Sequence, residues 1–217
     1  LLPEGITHLA TTPEEGRAIV RQAAKSGHQL IKTYSKLSLP VFSTVIDEAN
    51  KQGLRVVGHI PGRETGETDK YFQPGFGMVA HAEEYAQQTA KPDAAAITWY
   101  VELAKRNGTG LISTLTLNER LLETVKDPTM LKQRAELDVL NPHLNTVTVH
   151  QNPYVAHASP AYIEKLDAIV RFNRQLISAF RQAGIPILSG TDSPVPGVVP
   201  GYAMHDELAA LVRAGLT

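Results

Sequence analysis

Four residues, Lys32, His59, His81 and Asp192, each close a short apolar run, and their types can together hold cations and move protons. The strings are HQLIKTYS, LRVVGHIPG, FGMVAHAEE and IPILSGTDSP. Each is a β-rich run that reaches a polar side chain and then passes into Gly, Pro, Ser or acidic residues. A neutral imidazole binds a borderline cation such as zinc at about 2.0 to 2.1 Å, and a carboxylate can ligate a metal or carry a proton. A lysine buried in an apolar run is pushed toward its neutral amine, which can take up carbon dioxide as a carbamate or attack a carbonyl as a Schiff-base nucleophile. Each residue alone also has a plain reading: a surface lysine, a satisfied core histidine, a helix-start histidine, a Gly-Thr-Asp turn. The repetition of one pattern at four strand ends makes them a set, because the strand ends of a parallel barrel converge on one face.

The elements that must position these residues alternate. Apolar runs and turn signals predict strands at about 28–34, 54–60, 76–81, 109–115 and 185–191. Helices are expected between them, at about 13–25, 40–52, 93–106, 117–138 with a break at Pro128, 160–183 and 204–214. Thr12 before Pro13-Glu14-Glu15 is a capping residue ahead of a proline and an acidic first turn. In the second helix Val45, Ile46 and Ala49 share one face, with Asp47, Glu48 and Lys51 expected to face out. The alternation is that of a parallel α/β sheet. The long stretch before the fifth strand predicts extra helices, at about 117–183, that cover the site as an insertion or lid. Within it, residues 141–160 carry three histidines at no ligand spacing and are expected to form a substrate loop.

The order Lys32, His59, His81, Asp192 resembles the amidohydrolase superfamily, whose metal residues leave the barrel on its fourth, fifth, sixth and eighth strands. The downstream YAMHDELAALVRAGLT is similar to the helix after its eighth strand, and IKTY resembles members whose lysine is carboxylated, among them prolidase-like enzymes, within a prolidase-like or imidazolonepropionase-related placement. The resemblance implies a TIM-barrel-like (β/α)8 fold, incomplete here with about five parallel strands, as one partial barrel domain over residues 1–217. It also implies a divalent-metal centre, two zinc ions in the full-length enzyme, held by Lys32 as a bridging carbamate with His59, His81 and Asp192. The activity implied is hydrolysis of a carbon–nitrogen bond through a metal-bound hydroxide. Asp192 is the catalytic proton carrier, and Gly190-Thr191 lets the strand end turn sharply toward the metal. The same centre can serve ester, lactone or phosphotriester hydrolysis. Strands one to three, and the His-x-His pair at the end of strand one, have no counterpart among the eight histidines. This predicts a fragment that is inactive alone, and keeps a non-catalytic barrel piece as an alternative.

Composition fits this reading. With 21 Lys+Arg against 22 Asp+Glu and a net charge of -1, the chain lacks the basic excess of a nucleic-acid binder. Zero cysteines exclude disulfides and thiolate ligands. No apolar run reaches a membrane span, and the start from Leu1 shows no basic-then-apolar leader pattern. The expected partner is a small-molecule substrate, with homo-oligomerisation left open and the compartment unread. His8, His28, His143, His150, His157 and His205 are expected to be structural, and Tyr34, Tyr154 and Tyr202 are the candidates for touching substrate, with nothing to choose between them.

Overall fold

Five short strands, β1 (Leu30–Thr33), β2 (Arg55–Gly58), β3 (Phe76–Ala80), β4 (Gly110–Ile112) and β5 (Ile187–Leu188), pair in parallel in sequence order. The computed structural model describes residues 8–62 and 66–217; residues 1–7, part of the stretch read for a leader, lie outside the described residues. Helices join the strands: α1 (Pro13–Lys25) before the first, then α2 (Leu39–Lys51), α3 (Thr68–Tyr71), α4 (Ala82–Gln87) and α5 (Ala94–Asn107). Between β4 and β5 run α6 (Leu115–Lys126), α7 (Thr129–Lys132), a 3-10 turn (Ala135–Val139), α8 (Pro142–Val149), α9 (Pro153–Ala156) and α10 (Pro160–Gln182), and α11 (Tyr202–Arg213) closes the chain. This is the expected partial α/β barrel, five strands wound in sequential order.

Local chemistry explains the ends. Thr12 accepts a hydrogen bond from Glu15 N while the Glu15 carboxylate accepts from Thr12 N, a reciprocal cap on α1. Asp93, Asn141 and Ser159 cap α5, α8 and α10 in the simpler one-sided way, each side chain accepting from a first-turn amide. The helix expected over 117–138 breaks at Asp127, one residue before Pro128, and α7 then restarts for a single turn.

Alternation divides the sheet into two unlike faces. One face carries Thr33, Val56, Val79 and Leu111, all buried, and packs on the helices through Phe42, Tyr85, Phe172, Leu176 and Phe180. The other carries Leu30, Lys32, Arg55 and Leu188, all exposed, with Val57 and Met78 half-buried. Lys32 was expected to lie buried; it is exposed, because β1 is an edge strand of the described sheet.

A second expectation also fails. Glu48 does not face out of α2 but is buried, because α1 packs across it and places Arg21 Nε 2.7 Å from Glu48 Oε1. Gln52 donates to the same oxygen at 2.9 Å. That pairing holds the Glu48 carboxyl below its ordinary range, with the Arg21 hydrogen bond the main cause.

Candidate functional site

The carboxyl-terminal edge of the sheet collects the four residues singled out above, by different means. Lys32 lies within β1, opposite Val57. His59 is the first residue after β2, its amide donating to Thr33 O at 3.0 Å, so it continues the ladder by one step. The glycine before it is required: Gly58 sits at φ 134, and a Cβ there would stand 2.4 Å from Thr33 O. His81 follows β3 and is also the N-cap of α4, so its strand-end and helix-start readings are both correct.

Asp192 arrives otherwise. β5 was expected to run to about 191 but pairs only over Ile187–Leu188, so Asp192 stands on a loop four residues beyond the strand. The turn does not fall on Gly190. Asp192 itself takes the left-handed conformation, φ 53, which short polar side chains tolerate. Gly190 serves close approach instead, since a Cβ there would lie 2.7 Å from Ile112 Cγ2.

The two imidazoles meet edge to face with ring centroids 5.2 Å apart. His59 stacks on Tyr34 at 4.7 Å, and Lys32 Nζ lies 5.1 Å from the same tyrosine ring. His59 Nδ1 lies 3.1 Å from Glu84 Oε1 and 3.1 Å from Ser35 Oγ, while the other Glu84 oxygen accepts from Ile60 N. His81 Nδ1 lies 3.1 Å from Thr114 Oγ1. Its Nε2 is buried without a hydrogen-bond partner among the described residues, and Asp192 Oδ1 stands 3.8 Å away. Each ring is therefore oriented through Nδ1, by a carboxylate in one case and a hydroxyl in the other, the outer-shell arrangement usual for metal-binding histidines.

Burial pushes His81 down to about 4; Asp192 opposes that shift, and the neighbouring His59 and Lys32 add to it. At neutral pH the ring is uncharged and has a lone pair to offer. Glu83 is pushed up to about 7 by burial, against the hydrogen bond from Asn118, with the charges of Glu84 and Asp192 adding to the rise. Tyr154 of α9 is raised by burial and by Glu83 and Asp192, which places it within electrostatic reach of the site. Of the other two tyrosines, Tyr34 packs on His59, whereas Tyr202 is exposed on α11. The six remaining histidines are all exposed.

No three His, Cys, Asp or Glu side chains among the described residues form a ready-made metal cage. The fit to a cation rests on the orphaned His81 Nε2 and the Asp192 oxygen, whose 3.8 Å spacing is of the size one cation bound to both bridges. Glu83, Glu84 and Thr114 were missed from sequence. The first two follow His81 directly in AHAEE and could have been flagged as carboxylates beside a candidate ligand; Thr114 carries no sequence signal at all.

No protein-family model and no curated protein sequence matches the chain. Solved structures do. Bottromycin amidohydrolase superposes with a TM-score of 0.70 at 21% identity, over 100% of this chain and 48% of its own. The fold is that of an amidohydrolase barrel. An ochratoxinase from A. niger (TM-score 0.58, 20% identity, 96% of this chain and 40% of its own) and a Xaa-Pro dipeptidase (0.56, 18%, 95% and 44%) are similar to the chain in fold as well. The chain spans less than half the length of each of these structures. Among the described residues no helix is long and apolar enough to cross a membrane.

Proposed function

We propose that this chain carries one half of the active site of a metal-dependent hydrolase of the amidohydrolase superfamily, acting on carbon–nitrogen bonds. N-acyl amino acids, dipeptides ending in proline and cyclic amides are the substrate classes to test first. The observation that carries the reading is the gathering of Lys32, His59, His81 and Asp192 at one sheet edge, with the buried, unpartnered His81 Nε2 facing the Asp192 carboxylate. The likeness to an amidohydrolase and a dipeptidase supports the choice of bond.

His59, His81 and Asp192 would hold divalent cations, zinc by ligand type, with Lys32 joining them as a carbamate. Lys32 is exposed in this chain, so the burial that favours its neutral amine, and with it the carbamate, would come only with closure of the barrel over this face. Bound there, such cations supply acidified water and polarise the scissile carbonyl. Asp192 takes the proton of the attacking water and passes it to the leaving nitrogen, as base and then acid. Glu84 and Thr114 hold the two imidazoles in place. Tyr34 walls one side, and Tyr154 brings the helical stretch 117–183 over the site as a lid, with residues 141–160 as its substrate loop. A five-stranded open sheet does not enclose a substrate, so activity requires further strand–helix units that close the barrel.

The test is metal content and hydrolysis of an amide, dipeptide, ester and lactone panel by the barrel-completed protein. About two cations per chain, chelator-sensitive amide cleavage, and losses of about 100-fold or more in Lys32→Ala, His59→Ala and Asp192→Ala are expected. Ester or lactone turnover without amide turnover would move the assignment within the same centre. Metal-free protein with no hydrolysis would overturn the proposal.

A further inference from the structure

Thr114 is the N-cap of α6, yet it makes no capping hydrogen bond with its side chain. An N-cap threonine ordinarily takes an extended backbone and accepts from the second or third amide of its helix. Here it sits at φ 48, ψ 39, an unfavourable region for a β-branched residue, and its hydroxyl is engaged by His81 Nδ1 at 3.1 Å. The capping duty has passed to another chain segment. Glu207, on α11 and 0% exposed, accepts from Thr116 N at 2.7 Å, from Leu115 N and from Ser113 Oγ. Thr116 is the second helical residue, so its amide is one that Thr114 would otherwise serve.

A fully buried carboxylate is costly unless its oxygens are satisfied. Among the described residues Glu207 is satisfied by this turn, whose backbone is also stitched to its neighbours: Ala82 N donates to Ser113 O at 3.0 Å, and Ser113 N to Leu188 O at 2.9 Å. The turn thus joins the ends of β3, β4 and β5, beside the site.

We propose that Glu207 is a positioning residue for His81: by capping α6 in place of Thr114, it frees the Thr114 hydroxyl to hold His81 Nδ1 and leaves Nε2 facing Asp192. The inference rests on the reading of His81 as a ligand through Nε2. Without Glu207, Thr114 relaxes into an ordinary N-cap, its hydroxyl turns to the α6 amides, and the imidazole loses the partner that selects its tautomer. His59 is oriented by Glu84, not by Thr114, so it serves as an internal control for the loss of the Thr114 contact.

The experiment is histidine-ring nitrogen NMR on the metal-free chain at neutral pH, reading the tautomer ratio of His81 and of His59. In the unaltered chain His81 is expected to be mainly the Nδ1–H form, donating to Thr114. Thr114→Val defines the ratio when the hydroxyl is lost. Glu207→Ala is expected to move His81 toward that ratio by roughly fivefold or more, with His59 changing by less than about twofold. Glu207→Asp keeps the charge but is one methylene short of Thr116 N; it is expected to shift His81 the same way and decides the matter if the alanine variant does not fold. An unchanged His81 ratio in the folded variants, or an equal change at both histidines, would overturn the proposal and leave Glu207 a purely structural cap. Because no metal is present, failure of the barrel-completed protein to bind zinc would sink the hydrolase reading and leave this result standing.

Discussion

His81 and Glu83, two residues apart, are shifted in opposite directions by the same burial, and the metal-free chain should show both. The folded-state value for His81, about 4, lies below its unfolded 6.5. The stability it contributes is therefore present above 6.5 and lost as pH falls through 4, on the order of 3 kcal/mol in all. Urea unfolding should show the loss against a His81→Gln variant, and a pH-independent difference between the two from 6.5 to 4 would refute it. Glu83 is raised from 4.5 to about 7, so its contribution is lost as pH rises through that window. Glu83→Gln should gain about 1 to 2 kcal/mol relative to the unaltered chain between pH 4.5 and 8, discounted for the partial exposure of the side chain. The four candidate residues stand out in the sequence because each closes its own apolar run. Their partners were not, because Thr114 lies 33 residues from His81 and Glu207 lies 94 from Ser113.

Among the elements, β5 and the loop that follows it place the residue given the catalytic role. Gly190 passes so close to Ile112 that its substitution pushes the loop off β4. Gly190→Ala should destabilise the chain by about 1 to 3 kcal/mol, as overpacking does. It should also weaken metal binding in the completed barrel by displacing Asp192, measured by zinc titration; unchanged stability and affinity would show that the loop has slack. Strand existence was legible here and strand length was not. The apolar run IPIL signals a strand, but pairing stops where β4 stops, at Ile112 opposite Leu188. The length of one strand is set by its neighbour.

At the scale of the whole molecule, β1 and β5 are the edge strands of the sheet among the described residues. Hydrogen exchange should be fastest in these two strands and slowest in β3, which is paired on both sides and packed on the helices. Equal protection across the five would mean that a partner, such as a second copy, covers the edges. Sequence alone determined the parallel α/β class, the order of the five strands and the cap at Thr12, and it singled out four candidate chemical side chains. All of these follow from periodicity, turn residues and capping patterns confined to a few consecutive positions. Only the tertiary structure decided that Glu48 is buried under Arg21, that Lys32 is exposed on an edge strand, and that Asp192 arrives on a left-handed loop. It alone gave His59 to Glu84 and His81 to Thr114 under a cap from Glu207. Each of those depends on which distant element packs beside which, and on the solvent exclusion that packing creates.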